Sequence, residues 1–201
     1  MGGQRRVLWD WFGDVGAGMR YESTMPESGK SIGSPGGWIE KEVRMDQNEL
    51  GTIARAIVDS IVYMVLGTAD GSGHPWTSPV YFASKDYKEF YWISSPDVTH
   101  SRNILVRPQI SIVIFDSRIA VGMGQAVYMA AVAEELSRAD LEPGLQIYNG
   151  RFQNPTEHGV SVLAPEAVQA PALYRLYRAI AHEHWILDPA GHPDHRTPVN
   201  V

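Results

Sequence analysis

The sequence predicts a mainly β (α+β) domain in which six antiparallel strands close, or nearly close, into a barrel with flanking helices. Three observations carry this prediction. Six runs rich in β-branched and aromatic residues alternate with clusters of turn-forming residues. One short helical segment interrupts them midway. An amphipathic helix with its own start signal precedes the first run. A meander of this kind is stable in isolation when it curls on itself, because closure removes exposed strand edges.

The elements follow in order. Asp46-Gln47-Asn48-Glu49 has the form of a capping box, an acceptor followed three residues later by a carboxylate. Leu50, Ile53, Ala54, Ile57 and Ile61 then recur at helical spacing, so a helix is expected over 47–60. Val62–Thr68 is the first strand, and Asp70-Gly71-Ser72-Gly73 turns the chain into a second at Trp76–Ala83. Pro79 inside that strand marks an edge or a bulge. Phe90–Ile93 is the third strand, paired in an antiparallel meander with its predecessors. Ser95–Pro108 breaks the β pattern: Thr99 or Ser101 caps a short helix through Asn103, Ile104 and Leu105, and Pro108 ends it. Strands at Ile110–Phe115 and Gln125–Glu134 follow, then a helix near Arg138–Tyr148 and a long last element from Leu173 to Leu187, whose Tyr174–Ala181 reads as a strand or a helix; as a strand it puts His182 and His184 on one face.

The domain organisation reads as a flexible N-terminal extension over 1–44, a folded domain over 45–190 and a C-terminal tail over 191–201. Nine of the 19 glycines precede residue 38, and no apolar period survives there. The remaining composition excludes several functions. Cysteine is absent, so disulfides, thiol catalysis and cysteine-ligated clusters are out, which fits a cytoplasmic protein. No apolar run approaches the roughly 18 residues that span a bilayer, so no membrane partner is expected. A formal charge of −6 without a basic cluster argues against nucleic acid. His182-x-His184 could ligate a metal and His192 with His195 could add to it, but no HExxH, CxxC or other metal spacing is present, so no metal is expected.

One segment points to chemistry. Ser94-Ser95-Pro96-Asp97-Val98-Thr99-His100-Ser101-Arg102-Asn103 runs from a strand end through a small-residue turn into a helix start. Free N–H groups and the helix dipole favour an anion there, with hydroxyls from Thr99 and Ser101 and donors from His100 and Arg102. This is the pattern of a phosphate cradle, and also of an ordinary capped turn. Thr77-Ser78-Pro79-Val80 can aim backbone donors at a ring whose reduction builds negative charge.

These pieces in this order resemble the pyridoxamine 5′-phosphate oxidase-like, FMN-binding superfamily. The carriers are Ile61–Ala69 with its Asp-Gly turn and His74-Pro75, then Trp76–Phe82, then Phe90–Ser94 running into His100–Ile104, then Gly124–Val127 leading to Ala133–Leu136. The resemblance implies a six-stranded antiparallel split β-barrel, a homodimer with cofactor sites at the subunit interface, and a small-molecule substrate. It also implies FMN or a deazaflavin as cofactor. Residue by residue, it places Ser78, Pro79 and Val80 at the ring and ribityl chain. Ile93, Ser94, Thr99 and His100 fall around the ribityl chain and phosphate, with Ser101 and Asn103 in the same helix start. Gln125 approaches the ring, and Trp185 reaches the partner's site.

Departures matter. True members of the namesake activity carry Arg-Lys where this chain has Thr99-His100, a substrate-phosphate lysine near the position of Ala83, and an Arg-x-His motif near the C-terminus that is absent here. Arg102, Arg107 or Lys85 would have to supply the cation. The expectation is a flavin-dependent oxidoreductase with a different substrate, His100 and Tyr128 being candidate acids. The alternative is a carrier or sensor without turnover, binding flavin or haem, with His74, His182 or His184 as the axial ligand.

Overall fold

The computed structural model describes residues 45–120, 123–151, 162–187 and 195–201. The expected extension over 1–44 lies outside the described residues.

Helix α1 spans Gln47–Ser60, the range the capping box predicts. The Glu49 N–H donates to Asp46 Oδ1 at 2.8 Å and the Asp46 N–H donates to the Glu49 carboxylate at 3.0 Å. Its apolar stripe, Leu50, Ala54 and Val58, is buried in the main core. Replacing Asp46 with alanine is expected to lower stability by about 1 kcal/mol, read as a shifted urea midpoint with unchanged slope.

Among the described residues, eight strands form one antiparallel sheet: β1 Tyr63–Ala69, β2 Pro75–Tyr81, β3 Ala83–Lys85, β4 Glu89–Ser94, β5 Gln109–Phe115, β6 Ala126–Glu135, β7 Arg175–Leu187 and β8 Arg196–Pro198. The path runs β2-β1-β5-β6-β7-β4-β3, with β8 on β7. The segment expected as one strand over 76–83 is therefore two. Phe82, fully buried, is the corner where the chain leaves one end of the path and enters the other. Counted as one bent strand, β2 and β3 restore the expected six long strands and link the two ends of the sheet covalently, giving a curled split barrel.

Alternation fills the interior. Met64 and Leu66 of β1, Phe90 and Trp92 of β4, and Ile110, Ile112 and Ile114 of β5 all point into one buried cluster. Helix α3, Leu141–Gly150, packs outside against Ala83, Tyr91 and Leu176. It tolerates Pro143 because the first-turn N–H groups have no helical acceptor. Gly144 allows the close approach: a Cβ there would lie 2.5 Å from Leu136 Cδ1 and 3.1 Å from Leu176 Cδ2.

Two expectations change here. A register shift opposite Ala130/Ala131 leaves His182 as an extra residue on β7. The core-facing set switches from Tyr177, Ala179 and Ala181 before the bulge to Ile186 after it. His184 consequently shares the parity of Ile186, while His182 is exposed, so the two histidines do not share a face. The C-terminal residues are not a tail where they are described. Arg196–Pro198 pairs with β7, and Val199 is buried in the main core.

Candidate functional site

Helix α2, Thr99–Val106, closes one mouth of the barrel. The inward row of β1 reads Met64, Leu66, Thr68, turning polar where it meets this helix. All the buried polar residues of the described chain sit at that junction: Thr68, Ser94, His100, Ser101 and Asn103. The Asn103 amide donates to Thr68 Oγ1 at 3.1 Å, and Thr68 Oγ1 donates to the Trp76 carbonyl at 3.2 Å. His100 ties two strands to the helix, with Nδ1 3.1 Å from Ser78 Oγ of β2 and Nε2 2.8 Å from Ser94 Oγ of β4. Trp76 Nε1–H donates to the same Ser78 Oγ at 3.0 Å. Ser101 Oγ is buried near the Tyr177 hydroxyl.

Burial holds the His100 imidazole below its ordinary value of 6.5, so it is neutral at pH 7 with both nitrogens occupied by serines. His100, expected as a donor group in the phosphate cradle, has its two ring nitrogens engaged by Ser78 and Ser94 and bridges α2 to β2 and β4. The unfolded chain binds this proton more tightly than the folded chain. The contribution to stability is complete above about pH 6.5 and is lost as pH falls through the lowered folded value. His184, also depressed by burial, acts in the same direction. Stability measured between pH 7 and 5 should therefore decline. His100→Gln should flatten that decline, leaving the part due to His184; an unchanged slope would refute the assignment.

The amino end of α2 is open. Its N-cap is Val98, with no side-chain cap, in place of the expected Thr99 or Ser101. The Arg102 N–H is the first to find a helical acceptor, the Val98 carbonyl at 3.1 Å. The N–H groups of Thr99, His100 and Ser101 precede it and have no acceptor within the helix. Arg102, exposed in the next position, is the guanidinium nearest this end in sequence. Arg107 sits at the opposite end of the helix and donates to the Gly71 carbonyl at 3.4 Å. Lys85 pairs with Glu89 at 3.7 Å. The residues present fit an anion: backbone donors, a hydroxyl on Thr99 and the exposed Arg102 guanidinium, on a helix end without a side-chain cap.

Strand β2 is a terminal strand on the sheet path, and its register with β1 runs without a shift, so Pro79 marks an edge and no bulge. The Phe82 N–H donates to the Val62 carbonyl, which sets the parity: even residues bond towards β1. Ser78 and Val80 thus spend their N–H groups in the ladder. Pro75 and Pro79 face the open edge without a donor, and Thr77 presents one. Thr77 belongs to the segment whose backbone donors the sequence singles out, whereas Thr68 and the Trp76 indole are not marked there as site groups. Thr68 was detectable as the polar member of an inward apolar row.

Ser78, Ser94, Thr99, His100, Ser101 and Asn103 meet at the α2 mouth, with Pro79 and Val80 further along β2 and Ile93 on the α3 side of β4. Gln125 and Trp185 do not join them. Val132 of β6 lies opposite Gln109, near the end of α2, and Gln125 is seven residues away along the strand, about 20 Å. Trp185 sits near Gln125, opposite Tyr128, while Arg175 of the same strand lies opposite Ser94. Two open depressions of about 710 and 520 Å³ flank Trp185 at this far end. In the smaller one Arg196 stacks over the Tyr128 ring, 4.2 Å from its centroid.

A curled antiparallel barrel closed at one mouth by a short helix with an open amino end defines a split-barrel protein. The family model described as pyridoxamine 5′-phosphate oxidase matches residues 52–171, more than half of the chain, and the chain belongs to that family. No curated protein matches the sequence. Among solved structures, a haem binding protein from Mycobacterium smegmatis matches with a TM-score of 0.57 at 19% identity, over 78% of this chain and 59% of that one. The haem storage protein HutZ from Vibrio cholerae matches with a TM-score of 0.51 at 22% identity, over 66% and 90%. A Clostridium acetobutylicum protein of the pyridoxinephosphate oxidase family, related to general stress protein 26, matches at 0.53 and 14%, over 78% and 97%. At these identities the likeness is one of fold.

Proposed function

We propose that the protein is a cytoplasmic, homodimeric flavin-dependent oxidoreductase that holds FMN, or a deazaflavin, at the α2 mouth and acts on a small molecule other than a vitamin B6 phosphate. The observation that carries this reading is the convergence of every buried polar side chain of the described chain on helix α2, whose amino end is uncapped. Family membership over residues 52–171 supports it.

In this reading the N–H groups of Thr99, His100 and Ser101, the Thr99 hydroxyl and Arg102 bind the phosphate. His100 does not contact it as a cation; it holds α2 against β2 and β4. Ser78, Pro79, Val80, Ile93 and Ser94 line the ribityl chain and ring, and the Thr77 N–H is the donor that β2 can offer to a reducing ring. A bound flavin supplies hydride chemistry at its N5 position or the matching carbon. Gln125 and Trp185, too far to serve the mouth of their own barrel, serve that of a second copy. The sheet's outward face supports the dimer: Tyr63 (57%), Phe115 (44%) and Val132 (45%) are exposed apolar residues on β1, β5 and β6. No helix among the described residues is long and apolar enough to cross a membrane.

A second reading, a haem carrier, is favoured by the structural likeness to two proteins named for haem binding or storage. Absorbance separates the two: the purified protein titrated with FMN should retain a band near about 450 nm after gel filtration, whereas haem gives an intense band near about 400 nm. Retention of neither cofactor contradicts both readings.

A further inference from the structure

The smaller depression, about 520 Å³, lies on the outward face of the sheet, where β5, β6 and β7 run side by side. We propose that it binds a small planar carboxylate, with Arg196 of β8 taking the charge. In the flavin reading above, Trp185 serves a second copy's mouth, and the carboxylate is then the substrate. That last step rests on the flavin reading; the binding site itself does not.

The sequence makes the hollow. Two rows of outward side chains cross the strands next to each other. One runs Val65, Val113, Tyr128, Trp185, and the other runs Gly67, Ser111, Ala130. Bulky residues thus stand beside small ones, and the surface steps down between them. A Cβ on Gly67 would overlap Ser111 Oγ, so the Ser111 side chain lies over the glycine and the floor stays low. The walls are the aromatic rings of Tyr128 and Trp185. A volume within roughly 300–1,000 Å³, an apolar lining and one well-placed charge are the usual features of a small-molecule pocket.

Arg196 is the second observation. β8 pairs with β7 and β7 with β6, so its guanidinium crosses one strand to reach the Tyr128 ring. Stacking there engages the flat face of the guanidinium and holds its plane. The N–H donors lie in that plane and point past the ring. Among the described residues nothing accepts a hydrogen bond from them, and no carboxylate pairs with them. Glu183, two residues from Trp185, lines the larger depression and not this one.

The ligand's chemistry follows from these groups. Arg196 is the one charged residue among those that line the depression. A single cation in apolar surroundings favours a monoanion over a phosphate dianion, whose second charge would find no partner. The guanidinium fork matches the two oxygens of a carboxylate. A ring conjugated to that carboxylate then continues the stack from Tyr128 towards Trp185, its cross-strand neighbour.

The test is calorimetric titration of the full chain with 2-naphthoate and with its neutral counterpart 2-naphthamide. Wild type should bind the acid at least about tenfold more tightly than the amide. Arg196→Gln should lower affinity for the acid at least tenfold and bring the two ligands level. Arg196→Lys should recover only part of the loss, since it keeps the charge without the fork. Ala130→Leu, which raises the floor, should weaken both ligands. Circular dichroism checks that each variant is folded. Equal affinity for acid and amide in wild type, or an unchanged affinity in Arg196→Gln, overturns the assignment. FMN binding without naphthoate binding overturns this site and leaves the flavin reading. Naphthoate binding lost in Arg196→Gln, in a chain that does not bind FMN, upholds the site and overturns the flavin reading.

Discussion

Val98→Asp should stabilise the ligand-free protein and abolish FMN binding, two effects of opposite benefit from one substitution. Val98 is the N-cap of α2 and offers no acceptor to the first-turn N–H groups. An aspartate there accepts one of them and adds about 1 kcal/mol of stability. The same carboxylate occupies the donors assigned to the phosphate and repels its charge. Hydrogen bonds to charged groups contribute about 1.5–3 kcal/mol each, so the loss of one or two amounts to a fall in affinity of about 100-fold or more. Thermal melts of the apo protein and FMN titration give the two readings. If the amino end of α2 is an ordinary helix terminus, stability rises and affinity stays the same.

Trp92→Ala should be the most damaging single change to the fold. Trp92 is fully buried at the centre of the barrel, stacked on Tyr177 with ring centroids 5.6 Å apart. Truncating a buried tryptophan costs about 3–5 kcal/mol, a large part of the roughly 5–15 kcal/mol that holds a domain together. The variant should unfold near physiological temperature in a calorimetric scan. Trp92→Phe should cost much less, because the ring fills most of the space and the Trp92 Nε1–H has no hydrogen-bond partner among the described residues. Equal destabilisation by both would mean that the indole nitrogen matters in a way the packing does not show.

Much of the barrel was legible because its signals are local. The Asp46–Glu49 capping box set the start of α1, and the alternation in Ile110–Phe115 marked β5. What was illegible depends on contacts distant in sequence. Nothing local distinguishes Phe82 from a strand residue; it is a corner because β2 pairs with β1 and β3 with β4. The β7 bulge is visible only against β6. Residues 195–201 looked like a tail because three residues of strand are too few to show a period, yet Val199 docks in the core, and α1 makes room for it with a glycine. A Cβ on Gly51 would stand 2.5 Å from the Asn200 carbonyl oxygen.

At the candidate site, the segment Ser94–Asn103 was found from its chemistry, while the serine partners of His100, 22 and 6 residues away, could not be read from it. Hydroxyl and imidazole groups at a helix start read as ligands for an anion. The same groups satisfy one another when the helix is pressed into a barrel mouth, and burial then makes a neutral bridge the favourable state. The open backbone donors, which carry no residue code, are the groups that the proposal assigns to the anion.

The central claim is that the amino end of α2 holds a cofactor phosphate, and comparing FMN with riboflavin tests it most directly. The two ligands differ by the phosphate alone. Titration followed by flavin fluorescence should show FMN binding at least about 100-fold more tightly, the equivalent of about 2.7 kcal/mol. Equal affinity for the two, or binding of neither, would contradict the assignment.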